Sequence, residues 1–355
     1  MKITEHIAKA KKQTQFTFEI LPPLKGQNIN SLFEAIDLLM DFNPPFIDVT
    51  YHREEHVYKE VGKGLLEKKI IRKRPGTVGI CAAIQSKYNV DAVPHILCGG
   101  FSKEDTENFL IDLDFLGIDN LVALRGDAVK TETYFTPTED GHRYANELVE
   151  QITALNQGVY LDEELLNSHA TDFCIGVSGY PEKHMEAPSL ASDLHFLKKK
   201  IKAGADYVVT QMFFDNQKFF EFVDLARAEG IDVPIIPGLK PLSTLKQLNM
   251  IPHRFHIDLP ETLIKEVIRC KDNTAVRQVG VEWCIEQSKE LKAAGVPFLH
   301  YYSMGKADNI KAIAAQVFYL VKLLNSCSKL SFLSCIFRIF KPLSFAKSNT
   351  AGRRS

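Results

Sequence analysis

Several motifs that would identify a common protein class are missing from this sequence. Its seven cysteines are scattered, and none forms a C-x-x-C pair. Such scatter disfavours a disulfide framework and a structural zinc site, and is typical of a reducing compartment. Neither G-x-G-x-x-G nor G-x-x-x-x-G-K-[ST] occurs, which removes the usual Rossmann and P-loop signals. His52 and His56 have no third ligand nearby, and the other histidines lack i, i+4 partners of ligand type, so no metal site is expected.

Strong charge of either sign and long apolar runs are also absent. Lys and Arg total 43 against 44 Asp and Glu, a net charge of -1. No overall field therefore attracts nucleic acid or an anionic membrane. No apolar run reaches the roughly 18 residues that a bilayer span requires, and the first residues lack the apolar core of a secretory signal. We expect a cytoplasmic protein with no membrane span and no nucleic-acid partner.

Helical and strand patterns alternate along most of the chain. With 355 residues, 45% of them hydrophobic, the chain can bury a large core. Several strand segments are nearly continuous apolar runs, as parallel strands covered on both faces should be. The alternation predicts a single α/β domain, a (β/α)8 TIM-type barrel over residues 1–324, rather than a doubly wound sheet. The eight strands are expected at 15–21, 46–51, 92–98, 120–124, 173–178, 207–214, 233–238 and 297–303.

Other segments carry more local signals. The stretch 57–72 is expected to be a helix that ends in a basic turn. Ser102 and Asp105 have the spacing of a helix-capping box. Residues 242–294 are expected to be helical in several pieces, interrupted near Pro252 and Pro260.

The last segment, 325–355, differs in composition from the rest of the chain. It carries six basic residues and no acidic one around an apolar core at 330–340. An interfacial or partner-binding helix and a frayed, flexible extension both fit this composition. We favour the extension.

Polar and ionisable residues recur where the predicted strands end. The active site of such a barrel lies at the C-terminal ends of its strands, so these residues together predict a site. Glu19 is the most unusual, because a carboxylate within an apolar strand needs a partner or a purpose; the alternative is an edge strand on which it faces water. The residues are Glu19, Thr50, His95, Arg125, Asp127, Tyr180, Gln211, Lys240 and Tyr302.

Most of these residues also have a plain structural interpretation. His95 could be a loop histidine, and Arg125 with Asp127 a surface pair. Against this, Arg125 offers a fork for a phosphate, Gly126 permits close backbone approach, and the Gln211 amide suits a planar heterocycle. These residues alone predict a barrel enzyme that binds a planar, phosphorylated ligand, with Glu19 as acid or base.

The strand ends also form a series of recognisable motifs between residues 15 and 320. They are F-E-I-L-P-P at 18–23, V-T-Y at 49–51, P-H-x-x-C at 94–98, A-L-R-G-D at 123–127, Y-P-E-x-H-x-E-A at 180–187, A-G-A-D at 203–206, T-Q-x-F-F at 210–214 and I-P-G at 236–238. In type and order they resemble the methylenetetrahydrofolate reductase family.

This resemblance implies a flavoprotein of one-carbon metabolism and methionine biosynthesis. FAD would lie across the C-terminal face of the barrel, accept hydride from NADH or NADPH, and reduce 5,10-methylenetetrahydrofolate to 5-methyltetrahydrofolate. Glu19 would be the general acid at the folate N10, and Asp127 the carboxylate beside flavin and pterin. Gln211, Gln247 and Lys306 would contact the folate. The FAD-binding positions would be Thr50, Tyr51, His95, Arg125, Gly126, Asp127, Tyr144, Asp193, Lys199 and Lys200.

Four positions depart from the family pattern. Arg53 and Phe196 stand near the expected flavin, Ile251 stands where a phenylalanine can stack, and Lys306 replaces an arginine fork with a point charge. Relatives imply a homo-oligomer, and no allosteric domain is expected. Two other functions stay open: a flavin-free folate-binding barrel of the methyltransferase type, and a non-catalytic barrel kept as a subunit partner.

Overall fold

The computed structural model describes residues 1–11, 13–129, 132–305 and 307–327. Lys306 and the tail from 328 onward lie outside the described residues. The strands are β1 Gln15–Ile20, β2 Phe46–Val49, β3 Glu55–Gly62, β4 Leu65–Ile71, β5 Asp91–Leu97, β6 Asn120–Leu124, β7 Cys174–Gly179, β8 Tyr207–Thr210, β9 Ile235–Ile236, β10 Gly238–Leu239 and β11 Phe298–Tyr302. The helices are α1 Ile3–Lys9, α2 Asn30–Asp37, α3 Thr77–Tyr88, α4 Lys103–Phe115, α5 Ala145–Asn156, α6 Leu190–Lys202, α7 Asn216–Ala228, α8 Gln247–Phe255, α9 Glu261–Ile268, α10 Asn273–Ala293 and α11 Ala307–Cys327.

A nine-stranded parallel sheet wraps into a nearly closed barrel. Its strand order is β10-β11-β1-β2-β5-β6-β7-β8-β9. β9 and β10 are two halves of one strand position, separated by Pro237, which has no N–H for a sheet ladder. The Pro237 carbonyl accepts the His300 N–H at 3.2 Å and so ties this position to β11. Eight strand positions alternate with helices, which confirms the predicted (β/α)8 architecture.

The lower half of the barrel interior is apolar. Phe46, Val93, Tyr207 and Phe298 point inward from four strands and are buried together. Ile3 of α1 joins this cluster, and its N–H donates to the Asn120 side chain at 2.9 Å. The short helix α1, which the sequence pattern did not reveal, therefore closes the N-terminal end of the barrel. A second and larger core fills the space between the sheet and the outer helices.

The segment predicted as a helix over 57–72 is an antiparallel hairpin, so that prediction is wrong. β3 and β4 pair from Glu55 opposite Ile71 to Gly62 opposite Leu65. The two loop residues, Lys63 and Gly64, both have positive φ, at 52° and 74°. This is the backbone of the tight turn that favours hairpins, and it decides the structure over a helical spacing of apolar residues.

Smaller predictions about helix ends had mixed outcomes. The Ser102 capping box is present, with the Asp105 N–H donating to Ser102 Oγ at 3.0 Å. The helix is not interrupted at Pro252 itself, because α8 runs through it to Phe255, with His256 as its C-cap. The break between the helical pieces is at 256–260, and Pro260 is the N-cap of α9. The strand expected over 207–214 stops at Thr210.

No helix in the described part of the chain combines the length and apolar character that a bilayer crossing needs.

Candidate active site

The barrel interior becomes polar above its apolar floor. Glu19 of β1 lies opposite Asp48 of β2 in the strand register. On its other side, Glu19 lies opposite Tyr302 of β11. His95 of β5 lies between the two carboxylates. Its Nε2 is 3.4 Å from Asp48 Oδ2 and 3.7 Å from Glu19 Oε2. Glu19 and His95, both predicted at the strand ends, thus lie together, and Asp48 lies with them.

A second histidine lies deeper in the same polar layer. His300 Nδ1 is 3.0 Å from Thr17 Oγ1, and its Nε2 is 3.9 Å from Asp48 Oδ2. Burial would lower the pKa of His95, but its hydrogen bond to Asp48 and the charges of both carboxylates raise the pKa above its usual value. Burial lowers the pKa of His300, so His300 favours the neutral ring. The pKa values of the two neighbouring histidines are thus shifted in opposite directions.

Two further predicted residues border Glu19 at the barrel mouth. Lys240 follows β10, and burial lowers its pKa to about 8, while the Glu19 charge opposes the shift. The Tyr302 hydroxyl donates to the Thr210 carbonyl at 2.6 Å. The Glu19 carboxyl is therefore surrounded by an imidazole, an amine and a phenol.

Two of the expected folate contacts are described: Gln211 directly follows β8, and Gln247 is the first residue of α8. The backbone N–H of Gln211 donates to the Gly179 carbonyl at 2.8 Å. This bond fixes the backbone of Gln211 just above β8, and the residue is half-buried. Gln247 starts α8, and its Oε1 accepts the N–H groups of Ser243 and Thr244 at 2.7 and 3.0 Å. Ile251 is fully buried in an apolar cluster of the α8–α10 region, so it does not offer a face to the barrel mouth.

A charged cluster follows β6 and β7. Arg125 makes a two-pronged pair with Glu186, at 2.5 and 2.8 Å, and its guanidinium lies 5.1 Å from the centre of the Phe135 ring. Gly126 has a φ of 84°, and a Cβ there would lie 3.3 Å from the Leu97 side chain. Asp127 is exposed beside this cluster. Burial would lower the pKa of Arg125, but its hydrogen bond to Glu186 and the charges of Glu186 and Asp127 raise that pKa above its usual value.

The residues after β7 hold one another in place. Tyr180 packs edge-on against His184, with ring centres 4.8 Å apart. Asp193 of α6 accepts the His184 N–H at 2.8 Å. Burial lowers the pKa of His184, which favours a neutral imidazole next to Arg125.

The two neighbouring lysines of α6 point in different directions, since successive helix residues lie about 100° apart. Lys200 is directed to β7, where its Nζ donates to the Ser178 carbonyl at 2.6 Å, and burial lowers its pKa to about 8. Lys199 lies over the Phe196 ring and lines an outer groove of about 650 Å³ between α5 and α6. Lys199 therefore faces the outer helices, whereas Lys200 faces β7. Tyr144 caps α5 and is half exposed.

The loop after β2 carries three residues singled out from the sequence, and Arg72 after β4 joins them. Both the N–H and the hydroxyl of Thr50 donate to the Ile20 carbonyl, at 3.1 and 3.0 Å. The buried Tyr51 accepts a hydrogen bond from Arg72 at 3.2 Å. Arg53 pairs with Glu132 and packs against Gly99. The Nε atoms of Arg53 and Arg72 are buried without a hydrogen-bond partner among the described residues.

The described residues contain no group of three or more His, Cys, Asp or Glu side chains placed to bind one metal ion.

With this geometry in hand, the chain can be compared with known proteins. The family model for methylenetetrahydrofolate reductase matches residues 2–317. The chain belongs to the methylenetetrahydrofolate reductase family. Methylenetetrahydrofolate reductase 1 of Schizosaccharomyces pombe is 32% identical over 305 residues, which are 85% of this chain and 46% of that protein. Methylenetetrahydrofolate reductase (NADH) 1 of Arabidopsis thaliana is 32% identical over 316 residues, 86% of this chain and 48% of that protein.

This member of the family thus spans about half the length of those eukaryotic relatives. The 5,10-methylenetetrahydrofolate reductase of Escherichia coli is 29% identical over 314 residues, 88% of this chain and 93% of the bacterial protein. Among solved structures, an uncharacterized Clostridium thermocellum protein that binds two copies of 5-methyl-5,6,7,8-tetrahydrofolic acid has a TM-score of 0.53 at 15% identity, covering 90% of this chain and 99% of that one. That likeness supports the fold.

Proposed function

We propose that this protein reduces 5,10-methylenetetrahydrofolate to 5-methyltetrahydrofolate with NADH or NADPH, in alternating half-reactions through bound FAD. Membership of a family named for this reduction supports the proposal. The observation that carries it is the position of Glu19, a carboxyl at the mouth of a parallel barrel beside His95, Lys240 and Tyr302. A barrel mouth is where such folds carry out their chemistry.

The donor groups at the strand ends suit FAD. Arg125 and Lys200 supply cationic donors for a diphosphate, and the positive φ of Gly126 allows close backbone approach. The buried Nε atoms of Arg53 and Arg72 are donors without a partner in the described part of the chain. The flavin, when bound, would take hydride from the nicotinamide and deliver it to the folate one-carbon unit. Thr50, Tyr51, His95, Tyr144, Asp193 and Lys199 are the remaining proposed FAD-binding residues.

Glu19 would act on the folate by giving a proton to N10. The bond between N10 and the one-carbon unit then breaks, and the resulting cation at N5 is ready for reduction. The Glu19 backbone is fixed for this role, because its carbonyl accepts the Ser303 N–H and hydroxyl at 3.3 and 2.7 Å. Asp127 would place a negative charge near that developing cation.

Gln211 would bind the pterin through its side-chain amide, whose nitrogen is the available donor because its Oε1 already accepts the Met212 N–H at 3.0 Å. The Gln247 carbonyl oxygen is already engaged in its own loop, so its amide nitrogen would make the folate contact. Lys306, the proposed partner of the folate glutamate, lies outside the described residues and stays a prediction from sequence.

Product formation tests this function directly. The protein is mixed with NADH and methylenetetrahydrofolate, and 5-methyltetrahydrofolate is measured by chromatography. Glu19→Gln should remove the product while leaving anaerobic flavin reduction by NADH intact. Glu34→Gln, which changes an exposed carboxylate of α2, is the matched control and should behave as wild type. Full product formation by Glu19→Gln would refute its role as general acid.

The proposal also includes a cytoplasmic location and a homo-oligomeric state. The location rests on the scattered cysteines of the sequence, and the oligomeric state rests on the family resemblance. Sedimentation analysis of the purified protein would test the oligomeric state.

A further inference from the structure

Asp48 is a buried carboxylate of the barrel interior with few hydrogen-bond partners among the described residues. Its side chain is 1% exposed, and its Oδ1 has no hydrogen-bond partner among the described residues. Its one hydrogen bond within those residues runs from His95 to Oδ2. A buried carboxylate with so few partners is expensive, and His95 is the described residue that hydrogen-bonds to it.

His95 faces a second carboxylate through the same atom. Its Nε2 is 3.4 Å from Asp48 Oδ2 and 3.7 Å from Glu19 Oε2, so one N–H lies between both groups. A bare Nε2 lone pair there would face two acceptors and be repelled by both. The geometry therefore favours a proton on Nε2 that either carboxylate can attract.

Other titratable groups packed around this unit do not replace that contact. His300 and Tyr302 from β11 and Lys240 after β10 face Glu19, and His300 also faces Asp48. Burial raises the pKa values of Tyr207 on β8 and Cys81 on α3, and the charge of Asp48 raises them further. Both groups therefore favour their neutral forms. None of these groups forms an ion pair with Glu19 within 4 Å among the described residues, whereas His95 does.

We propose that Glu19, His95 and Asp48 act as one proton-holding unit, in which His95 returns a proton to Glu19 after each turnover and Asp48 is the positioning residue. This inference rests on the proposed role of Glu19. In the step, the Nε2–H bond of His95 breaks, its electron pair stays on the ring, and an O–H bond forms on Glu19 Oε2. Solvent at the barrel mouth then restores the proton of His95, because Glu19 and His95 keep 13% and 9% exposure.

The test is the pH profile of the folate half-reaction, measured by stopped flow with pre-reduced holoenzyme. Asp48→Asn keeps the shape of the side chain but removes a negative charge that helps the unit hold its proton. The alkaline limb should therefore move by about one to two pH units toward acid. The rate of flavin reduction by NADH, recorded on the same variant, reports whether the fold and the cofactor site are intact, and Asp48→Glu should restore the limb.

Asp91→Asn is the matched control, since it also removes a carboxylate paired with a histidine, His6, but at the opposite end of the barrel. It should leave the limb in place. An unmoved limb in Asp48→Asn, with both half-reactions intact, overturns the inference without touching the proposed function. If wild type lacks either half-reaction, the proposed function itself fails. Should Asp48→Asn not fold, Asp48→Thr provides the same neutralisation with a strand-compatible side chain, and the same criterion applies.

Discussion

Gly280 in the middle of α10 allows the helix to pack directly against a loop of the candidate site. A Cβ at Gly280 would lie 2.0 Å from the Leu242 carbonyl oxygen and 2.7 Å from its carbonyl carbon. Ordinary contact begins at 3.4 Å, so one backbone would have to move by more than an ångström. The atoms in the way belong to the main chain and cannot rotate aside.

The expected loss of stability follows from two opposing effects. Overpacking a core commonly costs about 1–3 kcal/mol, and a backbone clash belongs at the upper end. Replacing Gly by Ala in a helix gains about 1 kcal/mol. Gly280→Ala should therefore destabilise the protein by about 2 kcal/mol, and the displaced loop, which includes Ser243 and Thr244, should raise the KM for the folate.

Gly79 of α3 provides the control. A Cβ there meets no atom within 4 Å, so Gly79→Ala should be neutral or stabilising by up to about 1 kcal/mol. The assay is the urea midpoint of holoenzyme unfolding for the two variants and wild type, with the KM for folate beside it. A Gly280→Ala protein as stable as wild type would refute the close backbone packing.

Three further predictions concern single side chains. Gly126→Ala, at a φ of 84°, should destabilise the protein by about 1–2 kcal/mol and weaken FAD retention on a desalting column. Unchanged retention would contradict the proposed close approach of the Gly126 backbone to FAD. Burial raises the pKa of Glu182 to about 7. The contribution of this carboxyl to stability is thus fully present below its ordinary pKa of 4.5 and is lost as the pH rises through about 7. Glu182→Gln should flatten that part of a stability–pH curve, and a persistent slope would count against it. Lys240→Met should stabilise the protein below pH 8, because burial disfavours the ammonium there; a lower unfolding midpoint at pH 6.5 would oppose this.

The barrel was predictable because eight apolar strand patterns alternate with helical ones. The hairpin was not, since the apolar residues of 57–71 also recur at helical spacing and only the Lys63-Gly64 turn chemistry distinguishes the two. Helix α1 is seven residues long, too short for a periodic signal, and it depends on tertiary contacts such as that of Ile3.

The candidate site was predictable where its residues end strands, as Glu19 and Arg125 do. Asp48 was missed because it stands inside an apolar run, although its position two residues before Thr50 gives it the same inward face. Lys199 and Lys200 look equivalent in sequence, but the turn of α6 sends only Lys200 toward the strands. The burial of Ile251 in an apolar cluster was not predictable, since nothing in the sequence around it indicates that its side chain is covered.

The visible absorption spectrum of the freshly purified protein tests the central claim most directly. The spectrum is recorded before and after anaerobic NADH, and again after methylenetetrahydrofolate is added. Flavin bands that bleach with NADH and return with the folate are the predicted result, because they report both half-reactions in one sample. A colourless protein that cannot be reconstituted with FAD would contradict the account and favour the flavin-free folate-binding barrel.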